Sequence, residues 1–334
     1  MRKCGIAVVG ATGMVGRKML QVLEERKLPA SGYHAFASSR SAGRRIGFMG
    51  KELVVEELTE NCFAGKDIDI ALFSAGGGTS LHYAPFFAKA GIVVIDNSSA
   101  WRMHKDVPLV VPEVNPEAMM SHNNIIANPN CSTIQAVVAL KPLYDLYGIE
   151  RIVFSTYQAV SGAGLAGYRD LEGGIRGEAP KKFTYPIFGN CLPHIDVFQE
   201  NGYTKEETKM IDETRKILGD DSIRITATTV RVPVFYGHSE SINVEFKKDL
   251  DMEELRAALE AAPGIVVEDD PEQNKYPMPV FAQDTDEVYV GRIRRDESVR
   301  SGINMWVVAD NIRKGAATNA VQIAEELIRM QDAQ

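Results

Sequence analysis

Cys131 is the side chain of this sequence best placed for nucleophilic chemistry, because it stands at the start of a helical pattern in NPNCSTIQ. The apolar run that follows predicts a helix from about Ser132, with the thiol at its N-terminus. The unpaired N–H groups and the dipole of a helix N-terminus favour the thiolate, which is the nucleophilic form. The alternative is a buried structural thiol, a common position for an unpaired cysteine.

Four other side chains favour covalent acyl chemistry on an anionic substrate. Gln158 ends a strand pattern in TYQAVSGAG, and Arg102 follows another strand, where open α/β sheets bind ligands. Arg231 and His238 are seven positions apart in RVPVFYGHSES. Because an odd offset places two residues on opposite faces of a regular strand, we expect a bulge or turn near Gly237 to bring both to one site.

A glycine motif lies between the first strand pattern and the first helix pattern, where residues 10–16, GATGMVG, spell GxxGxxG. Glycines allow close approach of a pyrophosphate, and a helix N-terminus stabilises its charge, so the motif predicts a dinucleotide site. A tight turn without a ligand is the alternative. The next strand ends in Ser39, Arg40 and Ser41 rather than in an acidic residue, which favours NADP over NAD. Arg40 could equally be a solvated loop residue.

Strand and helix patterns alternate as far as Cys131, which predicts a doubly wound parallel sheet. Beyond it, β-rich runs occupy residues 222–246, 287–296 and 301–311 and are accompanied by amphipathic helices. This second pattern favours an α+β domain with a mixed sheet. The fold class expected from the sequence is therefore α/β, with a second domain of different construction.

Composition excludes several classes of protein. The net charge of −8 disfavours a general nucleic-acid-binding protein, and no apolar run has the length of a membrane span. The four cysteines, Cys4, Cys62, Cys131 and Cys191, are far apart, so we expect no disulfide framework and a cytoplasmic location. Cys191 and His194 form one CxxH without a second pair, and we expect no metal site.

The motifs GATGMVG, DNSSAWR, NPNCSTIQ, STYQAVSGAG and RVPVFYGHSESINVEF together resemble the aspartate-semialdehyde dehydrogenase family over nearly the whole chain. The resemblance implies NADPH-dependent reductive dephosphorylation of L-aspartyl-4-phosphate to L-aspartate-4-semialdehyde, in biosynthesis of lysine, threonine, methionine, isoleucine and, in bacteria, diaminopimelate. It implies a Rossmann-type NADP-binding domain of residues 1–130 and 315–334. A catalytic and dimerisation domain would span residues 131–314. The protein would be a homodimer or homotetramer that acts on small-molecule substrates.

The resemblance also implies roles for individual residues. Cys131 would form a thioester, His238 would help to form the thiolate and move the proton of the tetrahedral oxygen, and Gln158 would orient the acyl group. The residues expected to bind substrate are Arg102, Asn130, Gln158, Glu206, Lys209 and Arg231. The residues expected to bind NADP are Gly10, Thr12, Gly13, Met14, Val15, Arg40, Ser41, Ser161, Gly162 and Asn319.

Alternatives stay open at this point. Spacing alone makes Glu206 and Lys209 an i,i+3 pair, which could be a surface ion pair, and Asn319 could simply cap a helix. The acyl phosphate could be an N-acetylglutamyl or glyceraldehyde-type compound, although N-acetyl-γ-glutamyl-phosphate reductases have Gly rather than Asn before the cysteine. A silent NADP-binding regulator would need neither Cys131 nor His238.

Overall fold

A computed structural model describes residues 4–332 of the chain. Its strands are β1 (Cys4–Val9), β2 (Ala30–Ala37), β3 (Arg45–Phe48), β4 (Lys51–Glu57), β5 (Ile70–Phe73), β6 (Val93–Asp96), β7 (Ile125–Ala127), β8 (Ile149–Gln158), β9 (Arg224–Arg231), β10 (His238–Phe246), β11 (Ile265–Val267), β12 (Val288–Arg295) and β13 (Gly302–Ala309). Its helices are α1 (Met14–Arg26), α2 (Gly77–Lys89), α3 (Cys131–Tyr147), α4 (Gly164–Ile175), α5 (Lys205–Leu218), α6 (Met252–Ala261), α7 (Pro279–Ala282) and α8 (Asn319–Asp332).

The chain divides into two compact units, with boundaries after Pro129 and after Gly315. The first unit holds β1 to β7 with α1, α2 and α8, and the second holds the elements from α3 to β13. Each boundary lies one residue from the expected position. Asn130 belongs to the second unit because its hydrogen bonds go to α5, and Gly315 belongs there because its backbone lies against Cys131.

The sheet of the first unit has seven strands in the order β3-β4-β2-β1-β5-β6-β7, all parallel to their neighbours except the edge strand β3. The central strands β1, β5 and β6 are buried along their whole length, as is usual for parallel strands covered on both faces. Helices α1 and α8 pack against this sheet, and the expected doubly wound parallel sheet is confirmed.

The hairpin of β3 and β4 was not predicted from the sequence. Its two-residue turn is Met49-Gly50, and both residues have positive φ angles, 49° and 70°. Such turns are usually recognised by Asn-Gly or Asp-Gly, and this turn has neither. The helix α4 was also missed, because its sequence GLAGYRDLEGGI is rich in glycine, a poor helix former.

The sheet of the second unit has six strands in the order β11-β12-β13-β10-β8-β9. Two neighbouring pairs, β11–β12 and β8–β9, are parallel, and the other three pairs are antiparallel. Helix α3 packs across β8, β10 and β13, and α5 packs on α3 and β9. The expected α+β domain with a mixed sheet is confirmed.

Local sequence signals explain where the two site-bearing helices of the second unit begin. Asn130 caps α3, because its side-chain oxygen accepts hydrogen bonds from the backbone N–H groups of Ser132 and Thr133. Thr204 and Glu207 form a reciprocal capping box at the start of α5.

None of the helices within residues 4–332 combines the length and the apolar character needed to cross a bilayer.

Candidate active site

Three functional side chains lie side by side at one edge of the mixed sheet. Arg231 ends β9 and is the register partner of Gln158, which ends β8. His238 begins β10, which runs antiparallel to β8, and the neighbouring pair is Ser239 with Tyr157. The strand ends therefore place Arg231, Gln158 and His238 in one row.

This arrangement corrects the expectation that Arg231 and His238 share one bent strand. They lie on two strands, with β8 between them, and residues 232–237 cross the end of β8. The crossing segment is tied to β8 and its extension, since Val232 N–H donates to the Gln158 carbonyl at 3.0 Å and Val160 N–H donates to the Val234 carbonyl at 2.8 Å. Gly237 does have the expected turn geometry, with a φ of 82°.

The ring of His238 is fully buried, and its orientation is set by the main chain. Its Nδ1 accepts a hydrogen bond of 2.9 Å from the Ala159 N–H. Burial, reinforced by Arg231 and opposed by Glu206, lowers the pKa of His238 to about 3. A neutral ring whose Nδ1 is an acceptor carries its proton on Nε2, which is then a hydrogen-bond donor. The expected role of His238 in accepting the thiol proton stays a prediction.

Arg231 is buried and keeps most of its donors for a ligand. Its Nη1 donates to the Ala159 carbonyl at 2.6 Å, while its Nε has no partner among the described residues. Burial lowers the pKa of Arg231, against the opposing charges of Glu206 and Cys131. A Cβ on Gly162 would lie 2.8 Å from Arg231 Nη1 and 3.2 Å from the His238 ring, so glycine is required beside this pair.

Glu206 and Lys209 are not a surface ion pair. The Glu206 side chain is 6% exposed, and its Oε2 lies 3.0 Å from Lys209 Nζ. Burial alone would raise the pKa of Glu206, but Lys209, Asn130 and Gln158 together lower it to about 2. Lys209 also contacts Asp196 at 2.8 Å, and the two carboxylates raise its pKa in spite of burial. Glu206 is therefore an ionised carboxylate within the site.

Gln158 contacts Glu206 and lies close to His238. Its Nε2 donates to Glu206 Oε1 at 3.1 Å and lies 3.4 Å from His238 Nε2, while its Oε1 accepts from the Thr156 hydroxyl at 3.1 Å. These contacts fix the orientation of the amide. The Gln158 amide is therefore held in one orientation beside His238.

Cys131 is the first residue of α3, and the residue before it is held from three directions. The Asn130 N–H donates to Glu213 at 2.6 Å, its Nδ2 donates to Glu206 at 2.9 Å, and its oxygen caps the helix. A Cβ on Gly315 would lie 2.8 Å from the Cys131 Cβ, so close packing also confines the thiol residue. The Asn130 side chain acts here in positioning Cys131.

In the first unit the glycine motif has the geometry expected of a phosphate-binding turn. Gly10 has a φ of 85°, and a Cβ there would lie 2.3 Å from the Ser74 carbonyl oxygen. A Cβ on Gly16 would lie 2.2 Å from the Gly10 oxygen, so the turn and the first helical turn touch through glycine. Helix α1 begins at Met14, and its N-cap residue Gly13 provides no side-chain hydrogen bond to the first backbone N–H groups of the helix.

The end of β2 meets the glycine turn through side chains. Thr12 Oγ1 lies 3.5 Å from Ser41 Oγ, and Ser41 belongs to the short 3₁₀ turn Ser39–Ser41. Arg40 lies in the same turn, is exposed, and makes no ion pair or hydrogen bond within residues 4–332. The expected 2′-phosphate residues are therefore adjacent to the glycine turn, within the same unit. Met14 and Val15 begin α1 at this point.

The remaining predicted residues have mainly local roles in the structure. Arg102 donates to the carbonyls of Asn128 and Asn97, and Asn319 Nδ2 donates to Val110 and Asn128, which ties these segments of the first unit together. Ser161 lies in the second unit and exchanges hydrogen bonds with Asn311. Across residues 4–332 there is no group of three or more His, Cys, Asp or Glu side chains able to hold a metal ion.

Comparison with known proteins agrees with this geometry. The family model described as semialdehyde dehydrogenase, NAD binding domain, matches residues 5–122, and the semialdehyde dehydrogenase dimerisation domain matches residues 140–314. The aspartate-semialdehyde dehydrogenase of Aquifex aeolicus (strain VF5) is 60% identical, with 97% of this chain and 98% of the relative covered. The chain belongs to the aspartate-semialdehyde dehydrogenase family. It is thus an oxidoreductase with a nicotinamide-nucleotide-binding domain.

Solved aspartate-semialdehyde dehydrogenases share the fold. The Vibrio cholerae enzyme II, whose structure is described as complexed with ASA, is 50% identical and has a TM-score of 0.93, covering 98% of this chain and 99% of its own. The Candida albicans structure, described as with NADP, is 28% identical with a TM-score of 0.78 and covers 98% of each chain. The predicted family is therefore confirmed.

Two site residues of this family member were missed from its sequence. Glu213 accepts a hydrogen bond from the Asn130 N–H. It lies on α5, seven residues or two helical turns after Glu206, so the two side chains share one face of the helix. This spacing was the available sequence signal. Ala159 orients both His238, through its N–H, and Arg231, through its carbonyl. A backbone contact of this kind leaves no signal in side-chain types.

Proposed function

We propose that the chain catalyses NADPH-dependent reductive dephosphorylation of L-aspartyl-4-phosphate to L-aspartate-4-semialdehyde through a thioester on Cys131. The observation that carries this proposal is the buried pair of opposite charges, Glu206 and Arg231, in the cluster that also holds Gln158 and His238. A carboxylate for an ammonium and a guanidinium for a carboxylate match the two charged ends of an α-amino acid.

In the acyl step, the Cys131 sulfur attacks the carbonyl carbon, a C–S bond forms, and the bond to the phosphate oxygen breaks with its electrons leaving on phosphate. The start of α3 supplies backbone N–H groups that stabilise the thiolate and the developing oxyanion. Gln158, whose amide is fixed by Glu206 and Thr156, orients the acyl group. Arg102 and Lys209 are the proposed phosphate ligands.

In the reduction step, NADPH held by the first unit would supply a hydride to the thioester carbon, which would become a tetrahedral centre. The His238 Nε2–H, oriented by Ala159, donates a hydrogen bond to the oxygen of that centre. When the C–S bond breaks, the oxygen becomes the aldehyde carbonyl and Cys131 regains its thiolate. Because the ring is neutral and its Nδ1 is occupied, His238 acts here by hydrogen-bond donation.

The first unit fits a dinucleotide with a 2′-phosphate. The positive φ of Gly10 and the uncapped start of α1 leave the backbone open to a pyrophosphate, and Arg40 has its guanidinium unpaired beside Ser41. The proposed contacts are Gly10, Thr12, Gly13, Met14, Val15, Arg40 and Ser41, with Ser161, Gly162 and Asn319 for the nicotinamide end. NADP rather than NAD is the proposed cofactor, and the NADP named with the Candida albicans relative supports it.

The biological setting of the enzyme is also a proposal. The dimerisation-domain match supports a homodimer or homotetramer, and the family supports a cytoplasmic role in making lysine, threonine, methionine, isoleucine and diaminopimelate. The N-acetylated acyl phosphate is disfavoured as substrate, because an amide nitrogen carries no charge for Glu206 to bind. Asn130 before Cys131 points the same way.

The test is a reverse-direction assay on the purified protein. NADPH formation is followed with aspartate semialdehyde, NADP⁺ and phosphate, and each component is omitted in turn. We expect turnover that requires phosphate, with no turnover of N-acetylglutamate semialdehyde under the same conditions. Turnover of the acetylated compound alone would be consistent with the thioester chemistry but would reject L-aspartyl-4-phosphate as the substrate. Absence of both activities, with NADPH still bound, would reject the enzyme proposal.

A further inference from the structure

Glu240 is a buried carboxyl group that the proposed mechanism leaves without a role. The residue is 0% exposed, and neither carboxyl oxygen meets full hydrogen-bond geometry with a described residue, although the Ser132 hydroxyl lies close enough to lower its pKa. No lysine, arginine or histidine of residues 4–332 forms an ion pair with it. A carboxyl group in such a place is costly, so its retention in the core needs an explanation.

The position of Glu240 is one step behind the catalytic row. It follows His238 by two residues on β10, so both side chains point to the same face of the sheet. Its neighbours across the strands are Thr156 on β8 and Val307 on β13, and the next inward residue of β10 is Ile242. Glu240 is therefore the last polar group before the apolar core under the site.

The first turn of α3 lies over this part of the sheet. Gln135 Nε2 donates to the His238 carbonyl at 3.3 Å, and the Ser132 hydroxyl lies beside the Glu240 carboxyl. Ser132 Oγ and Gln135 Oε1 are themselves buried without partners, like the carboxyl oxygens. Since Ser132 follows Cys131 directly, this cluster of Ser132, Gln135 and Glu240 joins the thiol-bearing turn to the strand that carries His238.

The charge of Glu240 follows from its surroundings. Burial raises its pKa well above the usual range, and the nearby Ser132 hydroxyl offsets this only in part. The groups that face it from α3, β8 and β13 are Ser132, Thr156 and Val307, none of which is charged. Burial without a charged partner therefore favours the neutral carboxyl, which has one O–H donor and one carbonyl acceptor to offer to a serine hydroxyl.

We propose that Glu240, as a neutral carboxylic acid, is a positioning residue that links β10 to the first turn of α3 and so fixes Cys131 relative to His238. This role rests on the proposed function of those two residues. A polar link holds the orientation of the turn, which apolar packing would specify less well. A neutral link also avoids a negative charge behind the thiolate, which would oppose its formation.

The test compares Glu240→Gln, which keeps a neutral polar group, with Glu240→Met, which removes it at similar volume. Glu245→Gln is the matched control, because Glu245 is on the same strand but on the opposite, more exposed face. The measurements are kcat, KM and the pH midpoint for alkylation of Cys131 by iodoacetamide, followed by the mass of the Cys131 peptide. Infrared spectra of the wild type and Glu240→Gln give the carbonyl band of a protonated acid.

We expect Glu240→Met to lower kcat about tenfold or more with KM nearly unchanged, and to move the alkylation midpoint, because the turn is displaced. Glu240→Gln should keep kcat within about threefold and leave the midpoint unchanged, and the protonated-acid band should vanish from its spectrum. Glu245→Gln should change none of these quantities. A loss of folded protein alone would also lower the apparent kcat at unchanged KM, but it would leave the alkylation midpoint of the folded enzyme unchanged, so the midpoint separates the two causes.

Three results would overturn the proposal. A Glu240→Gln midpoint about one pH unit lower would mean that an ionised carboxylate had been removed. Absence of the protonated-acid band in the wild type would mean the same. Wild-type kcat and midpoint in Glu240→Met would deny a positioning role. If that variant fails to fold, Ser132→Ala takes its place, with smaller effects in the same direction expected and wild-type behaviour counting against the link. The alkylation and infrared measurements need no turnover, so they are informative even if the substrate proposal fails.

Discussion

The glycine turn of the first unit and the strand-end cluster of the second unit prepare for ligands in opposite ways. The turn offers backbone, and all of its glycines lie within residues 10–16. The cluster offers side chains that are spread along the chain from Asn130 to His238 and come together only through strand register and the packing of α3 and α5. A backbone site is therefore vulnerable to added atoms, and a side-chain site to removed ones.

Removal of the Cys131 sulfur should have the largest effect on the side-chain site. We expect Cys131→Ala to lower turnover by about four orders of magnitude or more, because the thioester cannot form. Binding of NADPH should be unchanged, since it depends on the first unit. Steady-state turnover and a fluorescence titration with NADPH measure the two quantities. Cys191→Ala, which changes an exposed cysteine of the same unit, is the control, and near-normal activity in Cys131→Ala would reject its role as nucleophile.

Addition of one methyl group should have the next largest effect, on the backbone site. Gly10→Ala introduces a Cβ that would lie 2.3 Å from a carbonyl oxygen at a φ of 85°, so we expect a loss of about 3 kcal/mol in unfolding free energy and weaker NADPH binding. Gly78→Ala is the matched control, because a Cβ there meets no atom within 4 Å on an exposed helical position. Denaturant unfolding measures both, and equal stability of the two variants would contradict the strained turn.

The pH dependence of the unfolding free energy should test whether the buried Glu206 carboxylate is ionised. The pKa of Glu206 falls from 4.5 to about 2 on folding, so its ionised form stabilises the fold above about pH 4.5 and this contribution disappears as pH falls toward 2. The contribution is on the order of 3 kcal/mol. The stability gap between the wild type and Glu206→Gln should therefore narrow as the pH is lowered from 7 to 3.5. Glu260→Gln, on an exposed face of α6, is the control variant, and a constant gap for Glu206→Gln would contradict an ionised, buried Glu206.

The smallest effect is expected at the one long side chain of the nucleotide site. Arg40→Ala should reduce the preference for NADP over NAD about tenfold, because one charged contact to the 2′-phosphate is lost. The specificity constants for the two cofactors give the ratio. Arg44→Ala, an exposed arginine four residues further on, should leave the ratio unchanged. If Arg40→Ala also leaves it unchanged, the 2′-phosphate is bound elsewhere.

The same contrast explains how much of the fold could be predicted. The buried strands β1, β5 and β6 and the helices α1 and α3 were readable because continuous apolar runs and helical periodicity depend only on near neighbours. The β3–β4 hairpin and β7 were not, since the hairpin is mostly exposed with an unusual Met-Gly turn and β7 has three residues.

The site was predictable in its residue types but not in its arrangement. The sequence indicated Arg231, Gln158 and His238, yet the interposed strand β8 appears only when the chain is folded. No prediction was made for Glu240, which stands among the polar residues of HSESINVEF, although the alternation of Ile242, Val244 and Phe246 places it on the same buried face of β10. Contacts made by main-chain atoms, such as those of Ala159, could not be inferred from side chains at all.

The segment of residues 232–237 also limits how this site can diversify. It is pinned to the end of β8 by main-chain hydrogen bonds and ends at Gly237, where a Cβ would lie 3.0 Å from Pro279. Most enzyme loops can change length to admit larger molecules, but an insertion here would disturb the main-chain hydrogen bonds that hold this segment across the end of β8 beside the site. New specificities on this scaffold must therefore arise by exchange of side chains within a fixed frame, which favours close relatives of the original substrate over unrelated ones.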